Sequence, residues 1–159
     1  MLNVRERRSE KVDYIDSQLV FSQLDATDST DVISQLADAL YQHGNVNADF
    51  KQAVLDREKV YPTGLPSGEI CVAVPHTDVK YVKKPAIVFA SLKKAVDFAN
   101  MADKSQKVSV RFVAMLAMKE PHSQVTLLQN LMQLFQNQDY LAKLIKIDDS
   151  EKLYEELKD

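Results

Sequence analysis

Hydrophobic positions along this chain follow two rhythms. Val32, Ile33, Leu36, Ala37, Leu40 and Tyr41 recur at spacings of three and four, which predicts an amphipathic helix closed by His43-Gly44. The polar run 25–30 before it is rich in N-cap residue types. Phe50, Ala53 and Val54 mark a second helix, capped at Asn47 and reaching about Lys59. Three uninterrupted apolar runs, 70–74, 86–92 and 108–118, read instead as strands buried on both faces. Residues 18–24 alternate weakly and are expected to form a first strand. Pro62, Gly64, Pro66 and Gly68 make an irregular loop, and residues 80–84 a basic connector. After Pro121 the Leu-rich stretch 123–137 predicts a helix. A short helix at 139–145 and a last one starting near Asp148-Asp149-Ser150, with Leu153 and Leu157 inward, should follow.

Helices alternating with apolar strands predict a single-domain α/β sandwich, a mixed β-sheet flanked by helices. The order helix–helix–strand–strand–strand–helix argues against a regular βαβ repeat. The expected division is a charged N-terminal segment at 1–17 and one domain at 18–159. Hydrophobic residues are 45% and charged residues 27% of the 159, enough to bury a sizeable core. A net charge of −3 gives no reason to expect nucleic acid or an anionic membrane as partner. No apolar run nears the roughly 20 residues that span a bilayer, so no membrane insertion is expected. The charged N-terminus does not read as a secretory signal. The single Cys71, between Ile70 and Val72, reads as a buried strand thiol. These features point to the cytoplasm.

Chemistry concentrates on the histidines, of which there are three. His76 follows a buried strand in Val74-Pro75-His76-Thr77-Asp78, where α/β proteins commonly present functional groups. Its neutral ring can attack a phosphoryl group. Equally, it can be an ordinary strand-end histidine bonded to Asp78. His122 lies beside Pro121 before a long helix, whose free N–H groups suit a phosphate; capping is the plainer alternative. His43 fits a helix-end role. No metal site is expected, because the histidines lack short paired spacing. No Gly-x-Ser-x-Gly elbow marks a hydrolase and no glycine-rich loop marks a nucleotide site. Arg57 ends the second helix and can grip a phosphate bidentately, with Glu58 to orient it, or pair with a local carboxylate such as Asp56.

Arg57-Glu58, Tyr61-Pro62-Thr63-Gly64 and Ala73-Val74-Pro75-His76-Thr77-Asp78, in that order, resemble the mannitol/fructose-type enzyme IIA of the bacterial phosphoenolpyruvate-dependent sugar phosphotransferase system. Residues 85–92, Ala95-Val96-Asp97-Phe98, and 110–118 followed by His122 extend the resemblance to about 19–144. Many members carry a more glycine-rich run before Pro-His. Here Pro66, Ser67, Glu69, Ile70 and Cys71 stand there, and the Thr-Gly-Leu-Pro version with Thr77-Asp78 is similar to the galactitol-like branch. The resemblance implies a mixed-sheet fold and a phosphotransferase without cofactor. His76 would accept a phosphoryl group from phospho-HPr and pass it to a cysteine of an enzyme IIB, alongside a membrane enzyme IIC. His122 and Arg57 would support it, with Thr77, Thr63 and Gly64 around the phosphoryl group. A shallow site with an apolar collar follows from having to dock two macromolecules in turn. A free-standing subunit for sugar or polyol uptake is expected; the alternative is a regulatory module whose phosphorylation state controls a binding partner.

Overall fold

The computed structural model describes residues 14–158. Most of the charged segment expected at 1–17 therefore lies outside the described residues. Strand β1 runs Ile15–Leu24, and helices α1, Ser29–Gln42, and α2, Phe50–Val60, follow it. Strands β2, Gly64–Leu65, and β3, Cys71–Ala73, flank the turn that carries Gly68. Long strands β4, Ala86–Ala99, and β5, Lys107–Ala117, form the centre. Helices α3, Pro121–Leu134, α4, Gln138–Lys146, and α5, Ser150–Lys158, complete the chain.

Among the described residues the sheet has five strands, in the order β1-β4-β5-β3-β2. β1 pairs with β4 and β3 with β5 in parallel; β4–β5 and β2–β3 are antiparallel. This is the mixed sheet the sequence implies. Alternation along the central strands sends side chains to two cores. Val88, Ala90, Val113 and Met115 meet Ile33, Leu36, Leu40, Phe50 and Val54 of α1 and α2. Ile87, Phe89, Phe112 and Leu116 meet Leu127, Leu131, Phe135, Leu141, Leu144, Leu153 and Leu157 of the last three helices. Burial on both faces is why β4 and β5 read as continuous apolar runs.

Several boundaries differ from expectation. Asn47 does not cap α2. The N-cap is Asp49, and the Asn47 side chain accepts from the Asp49 N–H at 3.0 Å in the turn before it. β4 continues past Leu92 to Ala99 through an irregularity between Ser91 and Val96. The loop expected at 62–68 contains β2. α3 starts at Pro121, so His122 stands inside its first turn.

Candidate functional site

His76 lies just beyond the C-terminal end of β3. The Pro75 carbonyl extends the ladder by accepting from Leu116 N–H at 3.1 Å, so the turn leaves the sheet at a fixed point. The imidazole folds back on its own strand, with Nδ1 2.8 Å from the Val74 carbonyl. A carbonyl has no proton to give, so Nδ1 carries the hydrogen. In the neutral ring the lone pair is then on Nε2, which has no partner among the described residues and is not sealed from solvent. Burial pushes the His76 pKa below 6.5; the Val74 bond pulls it up, and the positive charge of Arg57 pushes it down again. The bond expected to Asp78 is absent. Asp78 instead accepts from Lys80 N–H at 3.0 Å and caps a 3-10 turn, Val79–Tyr81.

The ring faces a cavity of about 430 Å³. Arg57, Val60 and Tyr61 from the end of α2, Pro62 and Thr63 from the following loop, Met101, Ala102 and Lys104 from the β4–β5 loop, and Leu128 of α3 line it with His76. Arg57 is exposed, its guanidinium 5.2 Å from the Tyr61 ring centre. No carboxylate among the described residues pairs with it, neither Asp56 nor Glu58. Val60, Tyr61 and Met101 are exposed by 55%, 63% and 37%, giving the mouth an apolar collar. Solvated apolar side chains clustered at a cavity mouth mark a contact surface.

Glu58 turns inward instead. Its carboxylate accepts from the Thr63 N–H at 2.7 Å and the Thr63 hydroxyl at 2.8 Å. Burial raises its pKa from 4.5 to about 7 against the lowering effect of these two bonds. Gly64 is required by a close approach. A Cβ there would lie 2.5 Å from the Ala99 carbonyl, while the Gly64 carbonyl accepts from Met101 N–H at 2.8 Å. That contact joins the Thr63-Gly64 loop to the one carrying Lys104.

The structure thus brings His76, Arg57 and Thr63 around one cavity, with Gly64 behind them. Thr77 is buried next to His76 in the chain and is not among the cavity-lining residues, its carbonyl accepting from Gln124 Nε2 of α3 at 3.2 Å. His122 is exposed at the start of α3 and is not among the cavity-lining residues. Met101, Lys104 and Leu128 were not expected at the site; they come from distant stretches of chain that carry no local signal. Among the described residues no cluster of His, Cys, Asp and Glu is arranged to hold a metal, and no helix is long and apolar enough to cross a membrane.

A nucleophilic nitrogen, a nearby guanidinium and an apolar collar suit transfer of a small anionic group between docked proteins. Comparison with known proteins agrees. The family model for the phosphoenolpyruvate-dependent sugar phosphotransferase system, EIIA 2, matches residues 13–159. The chain is 36% identical over 125 residues to the transcriptional regulator ManR of Bacillus subtilis (strain 168); the match covers 79% of this chain and only 17% of that protein. It is 27% identical over 132 residues to the PTS system galactitol-specific EIIA component of Escherichia coli (strain K12), covering 83% and 87% of the two chains. The enzyme IIA of mannitol from Escherichia coli, solved in complex with phosphorylated enzyme IIB, superimposes with a TM-score of 0.72 at 25% identity, covering 89% and 95%.

Proposed function

Because the chain belongs to the EIIA 2 family of the phosphoenolpyruvate-dependent sugar phosphotransferase system, we propose that His76 is the residue through which it carries its phosphoryl group. EIIA components are phosphotransferases with a phosphohistidine intermediate, and this chain is a carrier domain of that type. The observation that supports His76 is its open Nε2, fixed as the lone-pair nitrogen by the Nδ1–Val74 bond, on a residue that lines a cavity with Arg57.

Transfer then proceeds as follows. Nε2 attacks the phosphorus of phospho-HPr in line; the new N–P bond forms as the donor's N–P bond breaks and the donor ring recovers its lone pair. Nδ1 keeps its proton throughout. The phosphorylated ring is cationic, and the Val74 carbonyl on Nδ1 stabilises that charge. Arg57 acts twice. Before transfer its charge opposes protonation of the ring; during transfer it offsets charge spreading over the phosphoryl oxygens. Thr63 lines the wall with its hydroxyl proton committed to Glu58. A cysteine of a cognate enzyme IIB then takes the group, forming S–P as N–P breaks. Enzyme IIA of mannitol, solved with phosphorylated enzyme IIB, supports such a partner here. The collar of Val60, Tyr61 and Met101 serves both partners in turn. His122, exposed in the first turn of α3, aids departure of the group rather than its arrival. The setting is the cytoplasm, with a membrane enzyme IIC downstream, and the galactitol-specific relative makes a polyol the favoured cargo.

A second reading has its own support. One relative, at 36% identity, is a transcriptional regulator, in which the matched region corresponds to 17% of the length. On that reading the phosphorylation state of His76 is itself the output. Incubation with phosphoenolpyruvate, enzyme I and HPr, followed by addition of candidate enzyme IIB proteins, separates the two. Label that reaches a IIB cysteine supports transport. Label that stays on the chain whichever IIB is offered supports regulation.

A further inference from the structure

Glu58 takes no part in the transfer just described, yet it is tied to the nucleophile by hydrogen bonds in series. Its carboxylate holds both the N–H and the hydroxyl of Thr63. The Thr63 carbonyl accepts from Val74 N–H at 3.3 Å, and the Val74 carbonyl accepts from His76 Nδ1–H at 2.8 Å. Thr63 and Val74 extend the paired ends of β2 and β3, where Gly64 faces Ala73. The path from carboxylate to imidazole therefore crosses one strand pair.

We propose that Glu58 is a positioning residue for His76, acting through Thr63 and Val74 to keep the proton on Nδ1 and the lone pair on Nε2. The proposal rests on the reading that His76 carries the phosphoryl group. Thr63 is only 3% exposed, so its N–H and hydroxyl have little water to turn to if the carboxylate is removed. The Thr63 loop must then shift to find partners, and the Val74 N–H and carbonyl are next along the chain of bonds. A ring released from the Val74 carbonyl is free to place its proton on Nε2, and that tautomer carries its lone pair on Nδ1, leaving none on Nε2 to attack with. Arg57, one residue earlier, points to the cavity while Glu58 points behind it. Neighbouring residues thus serve one site from opposite sides of the same helix end.

The test uses three variants of the whole chain. Imidazole ¹⁵N shifts of His76 report which nitrogen is protonated, without any phosphotransfer protein present. Glu58→Ala is expected to mix the tautomers and to slow phosphorylation by phospho-HPr on the order of ten- to a hundredfold. Glu58→Gln can accept from the Thr63 N–H and donate to its hydroxyl, so it should restore the Nδ1–H signature and most of the rate. Thr63→Val, which keeps the N–H but loses the hydroxyl, should fall between them and stands in for Glu58→Ala if that variant does not fold. An unmixed Nδ1–H signature in Glu58→Ala or Thr63→Val at parental rate overturns the proposal. So does a Gln variant as defective as the Ala one. His76→Ala labelled in the same assay would sink the role of His76 instead, and leaves the tautomer result to stand by itself.

Discussion

Two histidines in this molecule solve the same packing problem and end with opposite prospects. At the end of α1, His43 Nδ1 lies 2.7 Å from Asn45 Oδ1, an oxygen two residues away. At the end of β3, His76 Nδ1 lies 2.8 Å from the Val74 carbonyl, also two residues away. In both rings Nδ1 donates. The difference is the other nitrogen. His43 Nε2 has an Asp16 carboxylate oxygen in front of it at 3.5 Å. His76 Nε2 meets no protein group among the described residues, and His76 lines a cavity together with Arg57. Anchoring through Nδ1 is thus open to any histidine near a turn. Reactivity needs the second nitrogen left free and a cation, not a carboxylate, in front of it.

The largest effect this contrast predicts is all or nothing. His76→Ala should abolish acceptance of label from phospho-HPr, while His43→Ala should accept it within about twofold of the parent rate, because no transferring atom touches it. Circular dichroism would show both variants folded. Labelled His76→Ala, or a dead His43→Ala that is folded, would break the contrast.

Arg57 tests what the cation adds. Arg57→Gln should slow phosphoryl acceptance by about ten- to a hundredfold in quenched-flow measurements, less than a buried oxyanion donor because this guanidinium is exposed. An unchanged rate would leave the free nitrogen as the whole explanation. His122→Ala should do less on the way in. We expect near-parental acceptance and a several-fold slower onward transfer to a IIB cysteine, since His122 lies in the first turn of α3 and does not line the cavity. Slowing of both steps alike would put His122 in the cavity after all.

His76, Arg57, Thr63 and Gly64 were legible because they lie on one stretch of chain, and local order carries their signal. The other wall was not. Met101 and Lys104 arrive from a loop fixed by the Gly64–Met101 bond, and Leu128 from a helix more than one strand away in sequence. The fold shows the same division. α1 was readable because Val32, Ile33, Leu36, Ala37 and Leu40 are all buried on one stripe. The second half of β4 was hidden because Lys93, Lys94 and Ala95 are exposed where the register slips, so hydrophobicity fails while the strand goes on. Two-residue β2 is too short to show any period. Around α2, Asn47 and Asp49 are both cap types, and only the observed turn chooses Asp49. Glu58 was expected to orient Arg57; it faces Thr63 because burial behind the loop offers it two donors there.

Each histidine has a glycine nearby, and the pair sharpens the comparison in stability. Gly64→Ala drives a methyl into the Ala99 carbonyl and Phe98, both fixed in the sheet, and should cost about 1–3 kcal/mol in denaturant unfolding. Gly44 has a φ of +84° and open space around it, so Gly44→Ala should cost only about 1 kcal/mol, the strain of a left-handed alanine. Phosphoryl acceptance should suffer in the first and not in the second. Equal losses of activity would mean that the tight Thr63-Gly64 approach does not matter to the site.

The smallest effect lies in pH. His76 titrates below 6.5, so between its native pKa and 6.5 the unfolded chain binds more protons than the folded one. Its contribution to stability is full above 6.5 and is lost as pH falls through that window. Glu58 has the opposite sign. Its native pKa is about 7 against 4.5, so the folded chain holds the extra proton and this contribution is lost as pH rises from 4.5 to about 7. The two partly cancel in the parent chain, and variants separate them. The Tm of Glu58→Gln relative to the parent should climb across that interval, while that of His76→Ala should climb as pH drops below 6.5. Arg57→Gln should move the His76 NMR titration midpoint upward but short of 6.5, because burial, the larger cause, remains. A midpoint that does not move would show the guanidinium too far from the ring to favour its neutral form, and the contrast with His43 would then rest on the free Nε2 alone.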